Sequence, residues 1–103
     1  MSASGAAASA KGVRFEREVR RAWEAGGFEV RGLEGEGDHL AIRDGLVVHS
    51  EAKRQERLKL PEWWRQCSSE APSGSVPVLT FRQSRGEMLS VIRTADLVRL
   101  LSR

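Results

Sequence analysis

Sulfur and imidazole are scarce in this chain. Its 103 residues hold one cysteine, Cys67, and two histidines, His39 and His49. A single cysteine excludes an internal disulfide, and with two histidines it cannot complete a four-ligand structural zinc site. A reducing, cytoplasmic setting is therefore expected. Long apolar runs are missing too. Nowhere do about 18 apolar residues follow one another, so neither a transmembrane helix nor a membrane partner is expected. The opening MSASGAAASA has no basic n-region and no long apolar stretch, and is not expected to be a secretory signal. Residues 1–10 read as a disordered tail, and 11–103 as one domain. A chain this short buries only roughly 60–65% of its unfolded surface, so pairing with a second copy would enlarge a modest core.

What is present is charge, mostly arginine. The 17 basic residues, 14 of them Arg, face 14 acidic ones, for a net charge of +3. The excess lies in the second half: residues 1–50 sum to −1 and 51–103 to +4. Guanidinium binds phosphate through a bidentate fork, so this bias suits phosphate contacts without proving them.

Periodicity predicts a helix from Lys11 to about Ala25, with Phe15, Val19, Ala22 and Trp23 on one face, ended by Gly26-Gly27. FEVRGL (28–33) alternates as a strand and leads into the glycine-rich loop EGEG. DHLAIR (38–43) and LVVHSEAK (46–53) flank Asp44-Gly45, the signature of a type I′ hairpin. RQERLKL is a polar connection. Pro61 suits the start of a helix running to about Ala71. VPVLTF (76–81) reads as a strand covered on both faces, and SRGE turns it into MLSVIR (88–93). Thr94 is placed to cap a last helix with Leu97, Leu100 and Leu101 on one side. The order is αβββαββα: an α/β fold with a mixed sheet flanked by helices.

The hairpin has a chemical consequence. With Asp44 and Gly45 as the loop, Ile42 pairs with Val47, Leu40 with His49 and Asp38 with Glu51. Directly opposed residues have Cβ atoms roughly 4.5–5.5 Å apart, and like charges so placed destabilise a sheet. Lys53 comes next on the same face. A divalent cation would account for this trio, because Mg²⁺ takes oxygen ligands from one or two carboxylates and from substrate phosphate. The plainer alternative is an Asp–Lys–Glu cluster on a solvated sheet face. On the first helix, Glu16 lies about 100° from Phe15, at the edge of the apolar stripe. There it either faces a cleft or pairs with a nearby arginine.

Other residues admit two readings. His39 and His49 are expected to be structural, with His39 on the face opposite Asp38 and His49 on that of Glu51. Trp63 and Trp64 suit base stacking, worth about 1–3 kcal/mol per base, but core or dimer interface is preferred. Cys67 reads as a small buried apolar group.

Together, KGVRFERE (11–18), GGFEV (26–30), Gly37-Asp38 and SEAK (50–53) resemble the PD-(D/E)XK nuclease superfamily. Within it they are most similar to archaeal-type Holliday junction resolvases and their phage relatives. The likeness covers roughly residues 11–53, and PVLTF…VIRTADLVRLL looks like the closing strands and helix of phage members. The resemblance implies a restriction-endonuclease-like sheet. Asp38, Glu51 and the carbonyl of Ala52 would hold Mg²⁺, with Mn²⁺ able to substitute. Lys53 would orient water and stabilise charge on the phosphate. Glu16 would serve the metal site from the first helix, and Gln66 would be an accessory active-site residue. Arg17 would meet phosphate, with Lys11 and Arg14 beside it; Arg54, Arg57, Lys59, Arg82 and Arg85 are further candidates. Gly37 stands where the superfamily's name has proline.

The expectation is a magnesium-dependent endonuclease that resolves four-way DNA junctions as a homodimer, leaving a 5′-phosphate. If phage-encoded, it would act in the host cytoplasm. A nuclease acting on linear or single-stranded DNA, and a nuclease-like module that binds without cutting, remain open.

Overall fold

The computed structural model describes residues 5–33 and 38–102, and the side chains of 10–33 and 38–102. The EGEG loop expected at 34–37 lies outside the described residues. The elements are α1 (Gly5–Ala25), β1 (Glu29–Gly32), β2 (Asp38–Arg43), β3 (Leu46–Arg54), α2 (Leu60–Glu70), β4 (Val76–Arg82), β5 (Leu89–Val91) and α3 (Thr94–Leu101). This is the order expected. One five-stranded sheet runs β1-β2-β3-β4-β5, antiparallel except for the parallel β3–β4 pair, whose crossover carries α2. None of the described helices is long and apolar enough to cross a membrane.

Helix α1 begins six residues earlier than expected. Residues 5–10 are helical where the sequence suggested a tail, in keeping with the high helix propensity of their alanines; residues 1–4 are outside the described residues. Its end is a Schellman motif. Gly27 adopts φ 86°, and the N–H groups of Gly27 and Phe28 donate to the carbonyls of Glu24 and Trp23. The accompanying apolar contact is an edge-on Trp23–Phe28 pair with centroids 4.9 Å apart.

The β2–β3 hairpin has the register that its turn dictates. Asp44 and Gly45 take φ of 50° and 80°, as a type I′ turn requires. Six pairs follow without a bulge, from Arg43↔Leu46 to Asp38↔Glu51. Because side chains alternate, the sheet has two distinct faces. Helix α1 covers the face carrying Ala41, Val48, Val76 and Val78, and Trp23 Nε1 donates to Ser50 Oγ there at 3.1 Å. Helix α2 covers the other face, setting Trp63 and Cys67 on Leu79 and Phe81. Strand β4, between them, is buried from Val76 to Phe81.

Trp63 is therefore core, as preferred, while half-buried Trp64 lies under the guanidinium of Arg93. The end of the chain departs from expectation. Arg93, not Thr94, occupies the cap position of α3, and no side chain closes it. Leu97, Val98 and Leu101 remain exposed.

Candidate metal centre

Two rows of the hairpin meet on the α2 face. Asp38 begins β2 and Glu51 lies opposite it on β3; His49 and Lys53 flank Glu51 at the two-residue spacing that keeps side chains on one face. The ligand atoms of Asp38, His49 and Glu51 all lie within 4.8 Å of one another, so this group could hold a metal ion. Glu51 and His49 are each 1% exposed and Asp38 9%. Lys53 Nζ is 3.5 Å from Glu51 Oε1, and His49 Nε2 is 3.8 Å from Asp38 Oδ2. The other two carboxylate oxygens, Asp38 Oδ1 and Glu51 Oε2, are buried without a hydrogen-bond partner among the described residues. Buried carboxylate oxygens are normally satisfied, so this pair calls for a positive charge or a proton.

The electrostatics say the same. Burial, followed by the hydrogen bond and charge of Asp38, pushes the Glu51 carboxyl up to about 7, although Lys53 pulls the other way. Asp38 is raised as well, chiefly by burial and against the favourable effects of Glu51 and His49. Both carboxyls therefore hold a proton more readily than free ones do, and a cation would compete with it. Two carboxylates this close cannot both ionise cheaply on their own.

The structure brings some expected residues to this point and not others. Asp38, Glu51 and Lys53 are together, and Ala52 lies between the last two with its side chain on the α1 face, where its partner is Thr80. Glu16 is not in the cluster. It is half-buried on α1, lining an open hollow with Arg17, Arg20 and Arg21, and α1 lies across the opposite face of the sheet. A helical wheel fixes a residue's direction around its own axis, not the sheet face on which that axis lies. Gln66 is exposed on α2 and donates through Nε2 to Glu70 Oε1 at 3.3 Å. Glu70, at the end of α2, is the nearer group: its charge raises both Asp38 and Glu51.

The sequence reading missed Glu70 and set His49 aside as structural. For His49 the signal existed, since pairing with Leu40 places it diagonally beside Asp38. Glu70 had none, because only the packing of α2 on β3 brings it in. Cys67 is the buried apolar group expected: burial pushes its thiol up to about 12, and Sγ sits 3.9 Å from His49 Nδ1.

The basic candidates separate into two groups. Lys11, Arg14, Arg54 and Arg82 surround one open hollow of about 240 Å³ beside Phe15 and Glu18, on the α1 side. Two of these are already engaged. Arg82 pairs with Glu18 and lies over the Phe15 ring, and Arg54 pairs with Glu56. Arg17, Arg57, Lys59 and Arg85 are exposed.

No family model matches this chain, and no curated protein matches it by sequence.

Proposed function

We propose that this chain is a metal-dependent endodeoxyribonuclease of the PD-(D/E)XK kind. Its preferred substrate is branched DNA, four-way junctions foremost, cut by a homodimer whose two-fold symmetry suits a substrate needing two related cuts. One observation carries the reading: Asp38 and Glu51 face each other across the hairpin with two buried oxygens lacking partners among the described residues, and Lys53 stands beside them. A fold has little reason to keep such a pair unless something positive visits it.

The donor chemistry fits a divalent cation. Asp38 and Glu51 would hold Mg²⁺ or Mn²⁺, joined by the Ala52 carbonyl, and the cation supplies Lewis acidity and a nucleophile available at neutral pH. The chain's own residues do the rest. Lys53, 22% exposed, carries its charge to the margin of the cluster, where it meets a phosphate oxygen and holds a water for in-line attack. Any proton that Asp38 or Glu51 holds would be released when the site fills. Lys11, Arg14 and Arg17 on α1, with Arg57, Lys59 and Arg85 on the loops, supply exposed charge for the DNA backbone. Arg54 and Arg82 have partners in Glu56 and Glu18, and serve first to shape the sheet end from which those contacts are made.

The test is cleavage of an end-labelled four-way junction in Mg²⁺ beside a linear duplex of the same sequence. Paired, symmetric cuts in the junction alone are expected. Equal cutting of both would keep the nuclease and discard junction selectivity. Binding without cutting of either would leave a nucleic-acid-binding module.

A further inference from the structure

Two carboxylates and a lysine do not account for every group around Glu51. His49 is as buried as Glu51, and its two ring nitrogens face different neighbours. Nε2 looks toward Asp38 Oδ2 at 3.8 Å, and Nδ1 toward Cys67 Sγ at 3.9 Å. The sulfur stands at the outer limit of a hydrogen bond. Cys67 is itself fully buried behind the ring. A ligating histidine ordinarily turns one nitrogen to the metal and gives its other N–H to an outer partner. His49 has both halves of that arrangement: sulfur behind it, and in front the Asp38 and Glu51 carboxylates, each with an atom within 4.8 Å of a ring nitrogen.

We propose that His49 is a third protein ligand, through Nε2, and that it tilts the site toward Mn²⁺ and later first-row divalent ions over Mg²⁺. The inference rests on the divalent-cation reading of Asp38 and Glu51 given above and adds to it a choice among cations. Carboxylate oxygens suit Mg²⁺ and Mn²⁺ alike, whereas an imidazole nitrogen suits transition ions and is a poor ligand for a hard cation. The nitrogen is therefore the selective element. Its place on β3, two residues before Glu51, follows from the hairpin register, so the choice is set by the same strand that supplies the carboxylate.

Calorimetric titration of the whole chain with MnCl₂ and with MgCl₂, without DNA, tests this for wild type, His49→Ala and Glu51→Gln. Wild type is expected to favour Mn²⁺. His49→Ala should lose roughly tenfold or more in Mn²⁺ affinity, at least what removing an outer partner does, with Mg²⁺ affinity little changed. An unchanged Mn²⁺-to-Mg²⁺ ratio in His49→Ala would overturn the role of His49 while leaving the carboxylate site in place. Failure of wild type to bind either ion, with Glu51→Gln indistinguishable from it, would overturn the site itself. Should His49→Ala not fold, electron spin-echo spectroscopy of Mn²⁺-loaded wild type decides. Modulation from a coordinated imidazole nitrogen is expected, and its absence with Mn²⁺ bound at Glu51 would refute the inference.

Discussion

On β3, Val48 and Ser50 look toward α1 while His49 and Glu51 look toward α2; all four are at most 2% exposed. The two faces use burial differently. Toward α1, valines and Ala41 pack together, and buried Ser50 has its hydrogen bond from Trp23. Toward α2, the polar groups face one another across gaps of 3.5–3.8 Å with two oxygens unpartnered among the described residues. Apart from His39, the α1 face is complete without a ligand, and the α2 face is not. Alternation along a strand lets a chain of 103 residues do both within four consecutive positions. His39 is the exception on the α1 face: both ring nitrogens lack a partner among the described residues, and burial with the charges of Arg20 and His49 lowers its pKa to about 4.

The sharpest break of this comparison is chemical. Asp38→Asn or Glu51→Gln should reduce DNA cleavage to background while DNA binding survives or tightens, as measured by cleavage and mobility-shift assays on the same junction. Wild-type rates in either variant would remove the metal-site assignment. The structural counterpart is Val48→Asp. An uncompensated charge on the complete face should lower stability by about 3–5 kcal/mol in urea titrations, while Glu51→Gln, one face over, leaves it equal or higher at pH 8. Similar losses in the two variants would mean that the faces do not differ as described.

The pH dependence of stability sharpens the contrast further. Glu51 is raised from 4.5 to about 7, so the unfolded chain ionises first and stability falls as pH climbs through that window. His39 is lowered from 6.5 to about 4, so stability rises as pH climbs from 4 to 6.5. The opposed slopes should leave wild type nearly flat across their overlap. Thermal melts from pH 4 to 8 should show stability rising with pH in Glu51→Gln and falling in His39→Phe. Identical slopes in all three proteins would contradict both assignments. Saturating Mn²⁺ should raise the melting temperature of wild type more at pH 8 than at pH 6, because the cation competes with the proton on Glu51.

The smallest effect concerns the rim. Replacing one exposed arginine that meets a phosphate, Arg14→Gln for instance, should lower the slope of log affinity against log salt by about 1, with little change in stability. Arg82→Gln should instead loosen α1, since its guanidinium holds Glu18 and covers Phe15.

Much of this was legible beforehand, because the informative signals are local. Asp44-Gly45 fixes a turn, the turn fixes a register, and the register alone brings Asp38 to Glu51. The order αβββαββα follows equally from short-range periodicity and glycine or proline breaks. What could not be read depends on which face each helix covers. Glu16 was assigned to the site and lies on a helix across the sheet from it, while Glu70, unassigned, comes close when Cys67 and Trp63 seat α2. His49 reads as structural on prior grounds, since a lone histidine beside apolar valines more often is, and its place beside Asp38 shows only in the register. The six helical residues ahead of Lys11 were lost for another reason: small residues carry helix propensity but no apolar period to detect.

Glu56, in the connection after β3, accepts from the Ser84 amide and hydroxyl and from Arg54, while Gln83 Nε2 reaches its main-chain oxygen. These bonds, led by that of Arg54, lower its pKa to about 2. Two loops some 28 residues apart are thereby joined by a carboxylate that stays ionised through nearly all of the pH scale. Hydrogen-exchange kinetics would register this as slow deuterium uptake at Ser84, in a turn where rapid uptake is the norm. For a binding partner approaching that edge, the loop conformation is already selected, and association need not wait for it to form.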